Sequence, residues 1–163
     1  VKNYAKQGGD EWVVGPGGLL TMAPGSQLAL ADSPLPYTAS FSKSNLSANQ
    51  VIIQVALLDG FGNPIRDVVD FDLWLSDTAD GAGVIAGTPS GTVSIALGIG
   101  TILKTYVSKK AFRVQNIGPD QGLDGLVGFQ VNDTGKGAFY PCIALQIGGK
   151  AVVGNQVVSG DYG

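Results

Sequence analysis

The sequence predicts an all-β chain: an antiparallel β-sandwich, immunoglobulin-like or jelly-roll-like, preceded by a Gly/Pro-rich N-terminal arm of short strands. Three observations carry this. The 163 residues include 25 Gly and 8 Pro, about a fifth of the chain, against roughly 12% in ordinary usage. The acids are twelve Asp and a single Glu, Glu11; Asp favours turns, whereas Glu favours helices. Runs rich in Val and Ile recur at roughly 8 to 12 residues, divided by Gly, Pro, Asn and Asp, which is the spacing of an antiparallel sandwich or barrel. Hydrophobic residues are 44% of the chain, too many for a disordered composition.

Residues 1–36 differ from the rest. Val1 to Asp10 shows no hydrophobic periodicity and reads as an irregular, polar stretch unlike a secretory leader. From Gly8 to Leu30 short apolar pieces alternate with Gly and Pro-Gly turns: Trp12-Val13-Val14, then Leu19-Leu20-Thr21-Met22, then Leu28-Ala29-Leu30. Each piece is too short to stand as an isolated hairpin in water, so each needs another surface to bury against. Ser33-Pro34-Leu35-Pro36 reads as a stiff, extended connector.

Residues 37–163 read as the sandwich domain. Val51-Ile52-Ile53-Gln54-Val55-Ala56-Leu57-Leu58 is apolar on both faces and fits a central strand. Asp59 to Pro64 is a dense turn signal. In Val68 to Leu75, Val69, Phe71, Leu73 and Leu75 face one way and Asp70, Asp72 and Trp74 the other. Thr78 to Gly91 is a loop holding a short piece, Val84-Ile85-Ala86. Thr92–Leu97, Thr101–Val107, Ala111–Ile117, Leu126–Val131, Ala138–Ile147 and Ala151–Val158 are further strands. Nothing repeats at 3.6 residues over three turns; at most one helical turn is expected, at Ser42 to Gln50, capped by Ser44 or Ser47.

Composition removes several chemistries. The chain has no His, which excludes Ser-His-Asp and Cys-His nucleophile pairs and imidazole bases. A single Cys, Cys142, permits no internal disulfide, and its apolar surroundings predict a buried, inert thiol. A net charge of −3 offers no nucleic-acid footprint, and no run approaches a membrane span.

Two ligand sites merit weighing. Asp67, Asp70, Asp72, Asp77 and Asp80 fall within 14 residues, and hard oxygens suit Ca²⁺; the spacing does not match a calcium loop, so solvated charges and turn chemistry are the expectation, with no metal. Gly135-Lys136-Gly137 lacks the spacing of a P-loop and its hydroxyl residue. Trp74, beside Asp70 and Asp72, is an interface anchor if that face is exposed and core if it is covered; the sequence leaves both open.

Two stretches resemble known proteins. Gly8 to Gly15 followed by Leu19-Leu20-Thr21-Met22-Ala23-Pro24-Gly25-Ser26-Gln27-Leu28 resembles the N-terminal segment of head fiber and head decoration proteins of tailed bacteriophages. Val55 to Pro64, Phe71 to Asp77, Gly100 to Lys104, and Asn132 to Gly135 with Phe139-Tyr140 are similar to small virion proteins of the same kind. Pro141-Cys142 departs from the uninterrupted strand expected there, because proline brings no ladder N–H.

The resemblance implies a structural virion protein with an immunoglobulin-like domain, not an enzyme, with no catalytic residues to carry over and no cofactor. It implies attachment to the major capsid protein on the particle surface after synthesis in the host cytoplasm, and a homo-oligomer, with a trimer favoured. Nucleic acid and membrane are not expected partners. The arm residues assigned to capsid binding are Trp12, Val13, Val14, Leu19, Leu20, Met22, Leu28 and Leu30. Alternatives are a phage tail or fiber component, or a carbohydrate-binding module or glycan hydrolase.

Overall fold

The structure is a computed structural model that describes residues 36–45, 47–118, 123–145 and 151–163, with the backbone of residues 4–5 and 12–13. At the N-terminal side, β1 (Tyr4–Ala5) and β2 (Trp12–Val13) form a two-stranded antiparallel ladder with Ala5 opposite Trp12. Residues 4–5 therefore correct the expectation that the first ten residues are irregular throughout. Pairing supplies partners for backbone groups that an isolated extended segment leaves to water.

Among the described residues nine strands follow: β3 (Thr38–Ser44), β4 (Gln50–Leu58), β5 (Asp70–Ser76), β6 (Val93–Ile95), β7 (Thr101–Val107), β8 (Ala111–Gln115), β9 (Leu126–Asn132), β10 (Tyr140–Ala144) and β11 (Ala151–Val153). They form a four-stranded sheet, β3-β4-β9-β6, and a five-stranded sheet, β11-β10-β5-β8-β7. Every pairing is antiparallel. The first order is the A-B-E-D sheet of an immunoglobulin-type sandwich, and β11-β10-β5 is its G-F-C sheet. The hairpin β7–β8 lies between the D and E strands in sequence and extends the second sheet beyond β5. The strand order fits the expected antiparallel sandwich and parallels the immunoglobulin arrangement apart from the inserted β7–β8 hairpin.

The inner faces meet in one apolar core. Val51, Ile53, Val55 and Leu57 of β4 and Val127, Phe129 and Val131 of β9 come from one sheet. Phe71, Leu73 and Leu75 of β5, Phe112 and Val114 of β8 and Ile143 of β10 come from the other. The expected alternation on β5 holds from Asp70 to Leu75. Ile52, on the other face of β4, is also buried, as a strand apolar on both sides requires.

Three local expectations change. Among the described residues no helical turn forms between Ser42 and Gln50: β3 runs to Ser44, and Asn49 turns the chain with φ +65°. Full-length pairing of β3 with β4 outweighs the weak local helix signal. The last strand stops at Val153, and Val157 forms only a bridge to Phe139. Pro141 does lie inside β10, opposite Leu75. The Leu75 N–H donates to the Lys110 carbonyl and its own carbonyl accepts from Ile85, so both point away from Pro141. On the other side the Pro141 carbonyl accepts from Gly154, just beyond the end of β11. The missing N–H therefore falls where no ladder partner is required.

Phe71 is 1% exposed between the sheets. Phe71→Ala is expected to cost about 3–5 kcal/mol, whereas Ser42→Ala on the exposed face of β3 should change stability by about 0.5 kcal/mol or less. Urea denaturation of the two variants checks this; equal midpoints would misplace the core.

Candidate functional site

The outer face of the five-stranded sheet carries a cluster of polar and aromatic side chains. It begins with like charges: alternation sends Asp70 and Asp72 of β5 to the same side. Register sets Arg113 of β8 opposite Asp72. Its Nε and Nη2 donate to Asp70 Oδ2 at 3.1 and 2.9 Å, and its Nη1 donates to Asp72 Oδ1 at 3.1 Å. A planar guanidinium can bind both carboxylates at once, which a lysine ammonium does less well. The hydrogen bonds to Asp70, then to Asp72, hold Arg113 even further above its ordinary value.

Tyr106 joins the cluster because β7 is bulged. Ile102 pairs with Val114 and packs on the core, so strict alternation sends Lys104 and Tyr106 to the core side as well. The register instead shifts between Ile102 and Lys104. Lys104 now lies opposite the outward-facing Arg113, and Tyr106 Oη donates to Asp72 Oδ1 at 3.1 Å. The Lys104 ammonium lies 5.4 Å from the centre of the Tyr106 ring.

The loop after β5 folds back over the same face. Asp77 Oδ2 accepts from the Ala86 N–H at 2.6 Å, and Asp80 Oδ1 accepts from the Ala82 N–H at 3.0 Å. The Ile85 N–H donates to the Leu75 carbonyl at 2.7 Å and buries its side chain. Gly81, at φ +73°, lies so close to the sheet that a Cβ there would stand 3.1 Å from Val153 and 3.3 Å from Cys142 Sγ. Its carbonyl accepts from Trp74 Nε1 at 3.1 Å. Trp74 is thus outward-facing and half-buried, held at one edge by the loop. Between Trp74, Val84 and Tyr106 lies an open cleft of about 300 Å³, with Ala111 and Ala144 among its lining residues.

The acidic run offered by the sequence is dispersed. Asp70 and Asp72 bind Arg113, while Asp77 and Asp80 hold their own loop. Among the described residues no three acidic, His or Cys side chains converge on a metal position. The amides of Gly135 and Gly137, beside Lys136, donate to Asp133 rather than forming an empty anion cradle. Cys142 is buried, and burial, then the Asp80 charge, pushes its thiol up to about 11. Of the arm residues, Trp12 and Val13 lie on β2; Val14, Leu19, Leu20, Met22, Leu28 and Leu30 lie outside the described residues. Sequence reasoning missed Tyr106, Arg113, Ala111 and Ala144. Arg113 had a usable signal, a lone cation between the apolar Phe112 and Val114 of a strand. Tyr106 had none, because its outward placement depends on the bulge. No family model, curated protein or solved structure matches the chain.

Among the described residues four carboxylates lie below the usual Asp range. At Asp59 the backbone amide of Asn63 leads. At Asp80 the Thr78 side chain leads. Partial burial works against the lowering at Asp133 and Asp161, but the Gly137 and Ser90 donors outweigh it at the first, and Lys43 and the Val158 amide at the second. A carboxyl lowered in the folded state stabilises the fold above its unfolded pKa and loses that contribution as pH falls through its folded pKa. With no His to titrate, the melting temperature should be flat from about pH 5 to 8 and fall below about pH 4. Asp133→Asn should shrink the acid limb in thermal melts. A melting temperature that rises between pH 4 and pH 3 would contradict the assignment.

Proposed function

We propose that this chain is a non-catalytic structural module that attaches to the outer surface of a bacteriophage capsid through residues 1–36 and holds the sandwich domain outside it. The observation that carries the reading is the composition of the core. Its described members run from Val51 to Tyr162, with Ala39 and Phe41 packed against them. The described part of the sandwich thus packs an apolar interior from its own strands and loops. In this reading the apolar pieces of the arm bury against the major capsid protein. Trp12, Val13, Val14, Leu19, Leu20, Met22, Leu28 and Leu30 supply that contact.

Two further observations support binding over catalysis. The outward carboxylates are bound to Arg113, and the Cys142 thiol stays protonated at neutral pH. Charged residues are only 14% of the chain, which suits association through apolar and neutral surface. A homo-oligomer, with a trimer favoured, and a virion location belong to the same proposal. A tail or fiber component is the alternative that particle labelling separates: gold-labelled antibody to the sandwich should decorate heads, and labelling confined to tails would replace the capsid assignment.

Deleting residues 1–30 should leave the cooperative melt of the sandwich in place and abolish attachment to particles. Trp12→Ala or Leu20→Asp should release much of the bound protein. Raising NaCl from about 0.1 to 1 M should release little, because exposed ion pairs contribute about 0–1 kcal/mol each and are screened. Sedimentation of particles with bound protein reads all of these. Full occupancy by the truncated chain would overturn the assignment of the arm.

A further inference from the structure

We propose that the cleft between Trp74 and Tyr106 binds a pyranose unit of a neutral glycan, a role separate from attachment through the arm. A sugar ring has an apolar C–H face and a rim of hydroxyls. The cleft offers the matching halves: two aromatic side chains, with Ala111, Ala144 and Val84 beside them, and a polar wall formed by Asp72. The Asp72 carboxylate accepts from a sugar hydroxyl, and the Tyr106 hydroxyl, which already donates to Asp72, accepts another. The small side chains of Ala111 and Ala144, on the two strands flanking β5, leave room beside Trp74.

Charge selects the ligand class. Asp70 and Asp72 are both bound by Arg113, and the Lys104 ammonium lies beside the Tyr106 ring, so charges of both signs border the cleft. An anion entering the cleft meets the Asp72 carboxylate on its wall. A cation meets Lys104, which already lies near the Tyr106 ring. A flat protein surface would cover the Arg113–Asp70 pair and remove water from both charges, at a cost that an open cleft of about 300 Å³ does not offset by apolar burial. A neutral polyhydroxyl ligand avoids all three penalties. The aromatic side chains are also set in advance, Trp74 through Gly81 and Tyr106 through Asp72, so little rotamer freedom is lost on binding.

The test is isothermal titration of the full chain with three neutral probes, cellohexaose, chitohexaose and maltohexaose, and with heparin as a charged comparison. At least one neutral probe should bind at millimolar strength or tighter, with a dissociation constant that changes less than about twofold between 0.1 and 1 M NaCl. Tyr106→Ala should weaken binding about tenfold or more, and Tyr106→Phe, which keeps the ring, only about threefold. Ala144→Leu, which fills the cleft without removing a contact, should abolish binding while the thermal melt stays cooperative. The indole N–H signal of Trp74 should shift on titration, and that of Trp12 should not. Any of three outcomes overturns the proposal: no neutral probe binds up to about 10 mM; binding survives both Tyr106→Ala and Ala144→Leu; or heparin alone binds and salt removes it.

Discussion

The alternation of β5 ties the two halves of this molecule together. Phe71, Leu73 and Leu75 enter the core, while Asp70, Asp72 and Trp74 face outward, and one backbone dictates both sets. A slip of one residue would place two carboxylates in the core and the Leu and Phe side chains in water. The burial of those apolar side chains and the Arg113 fork on the outer face therefore hold the same register from opposite sides. Asn116 holds the beginning of the strand: its Oδ1 accepts from the Val69 N–H at 2.6 Å, and its Nδ2 donates to the carbonyls of Asp67 and Ile117. With β5 held in place, β10 pairs on one side and β8 on the other.

The second organising feature is the use of aspartate as a local clamp. Asp59 gathers the amides of Phe61 and Asn63; Asp133 gathers those of Ser90, Gly135 and Gly137; Asp161 receives the Val158 amide and the Lys43 ammonium. Each carboxylate replaces solvent as acceptor for turn amides that no strand can satisfy. A short side chain suits this task, because it reaches amides two to four residues away without spare rotamers. Among the described residues Asp59, Asp77, Asp80, Asp133 and Asp161 all accept from loop amides, in keeping with a chain that uses Asp rather than Glu. Loops tied in this way give a sandwich its shape without a disulfide, the only Cys being buried and free.

The outer face shows how a binding surface arises from irregularity. Two register shifts in β7 twist an edge strand that otherwise presents a regular ladder to other chains. The first of them also turns Lys104 and Tyr106 away from the core side. The loop carrying Gly81 covers one edge of Trp74 and leaves the rest of the ring beside the cleft. Protection of the edge and construction of the cleft are consequences of the same departure from ideal geometry.

By itself the sequence determined the class of the fold, the strands with strong alternation or continuous apolar runs, the direction in which β5 faces and the inert character of Cys142. These depend on local pattern: a period of two, turn residues between runs, and apolar neighbours around a thiol. It did not disclose β3, whose Ser-rich, weakly apolar run becomes a strand only by pairing along β4. Nor did it disclose that Pro141 sits where its missing N–H is harmless. The partners of Asp70 and Asp72 were likewise hidden, because they lie 41 to 43 residues away on Arg113. The tertiary structure alone decided the sheet order, the bulge that turns Tyr106 outward and the loop that covers part of Trp74. The reason is physical: local propensity sets which way a residue faces within its own strand, whereas packing of the whole core sets which strand lies beside it.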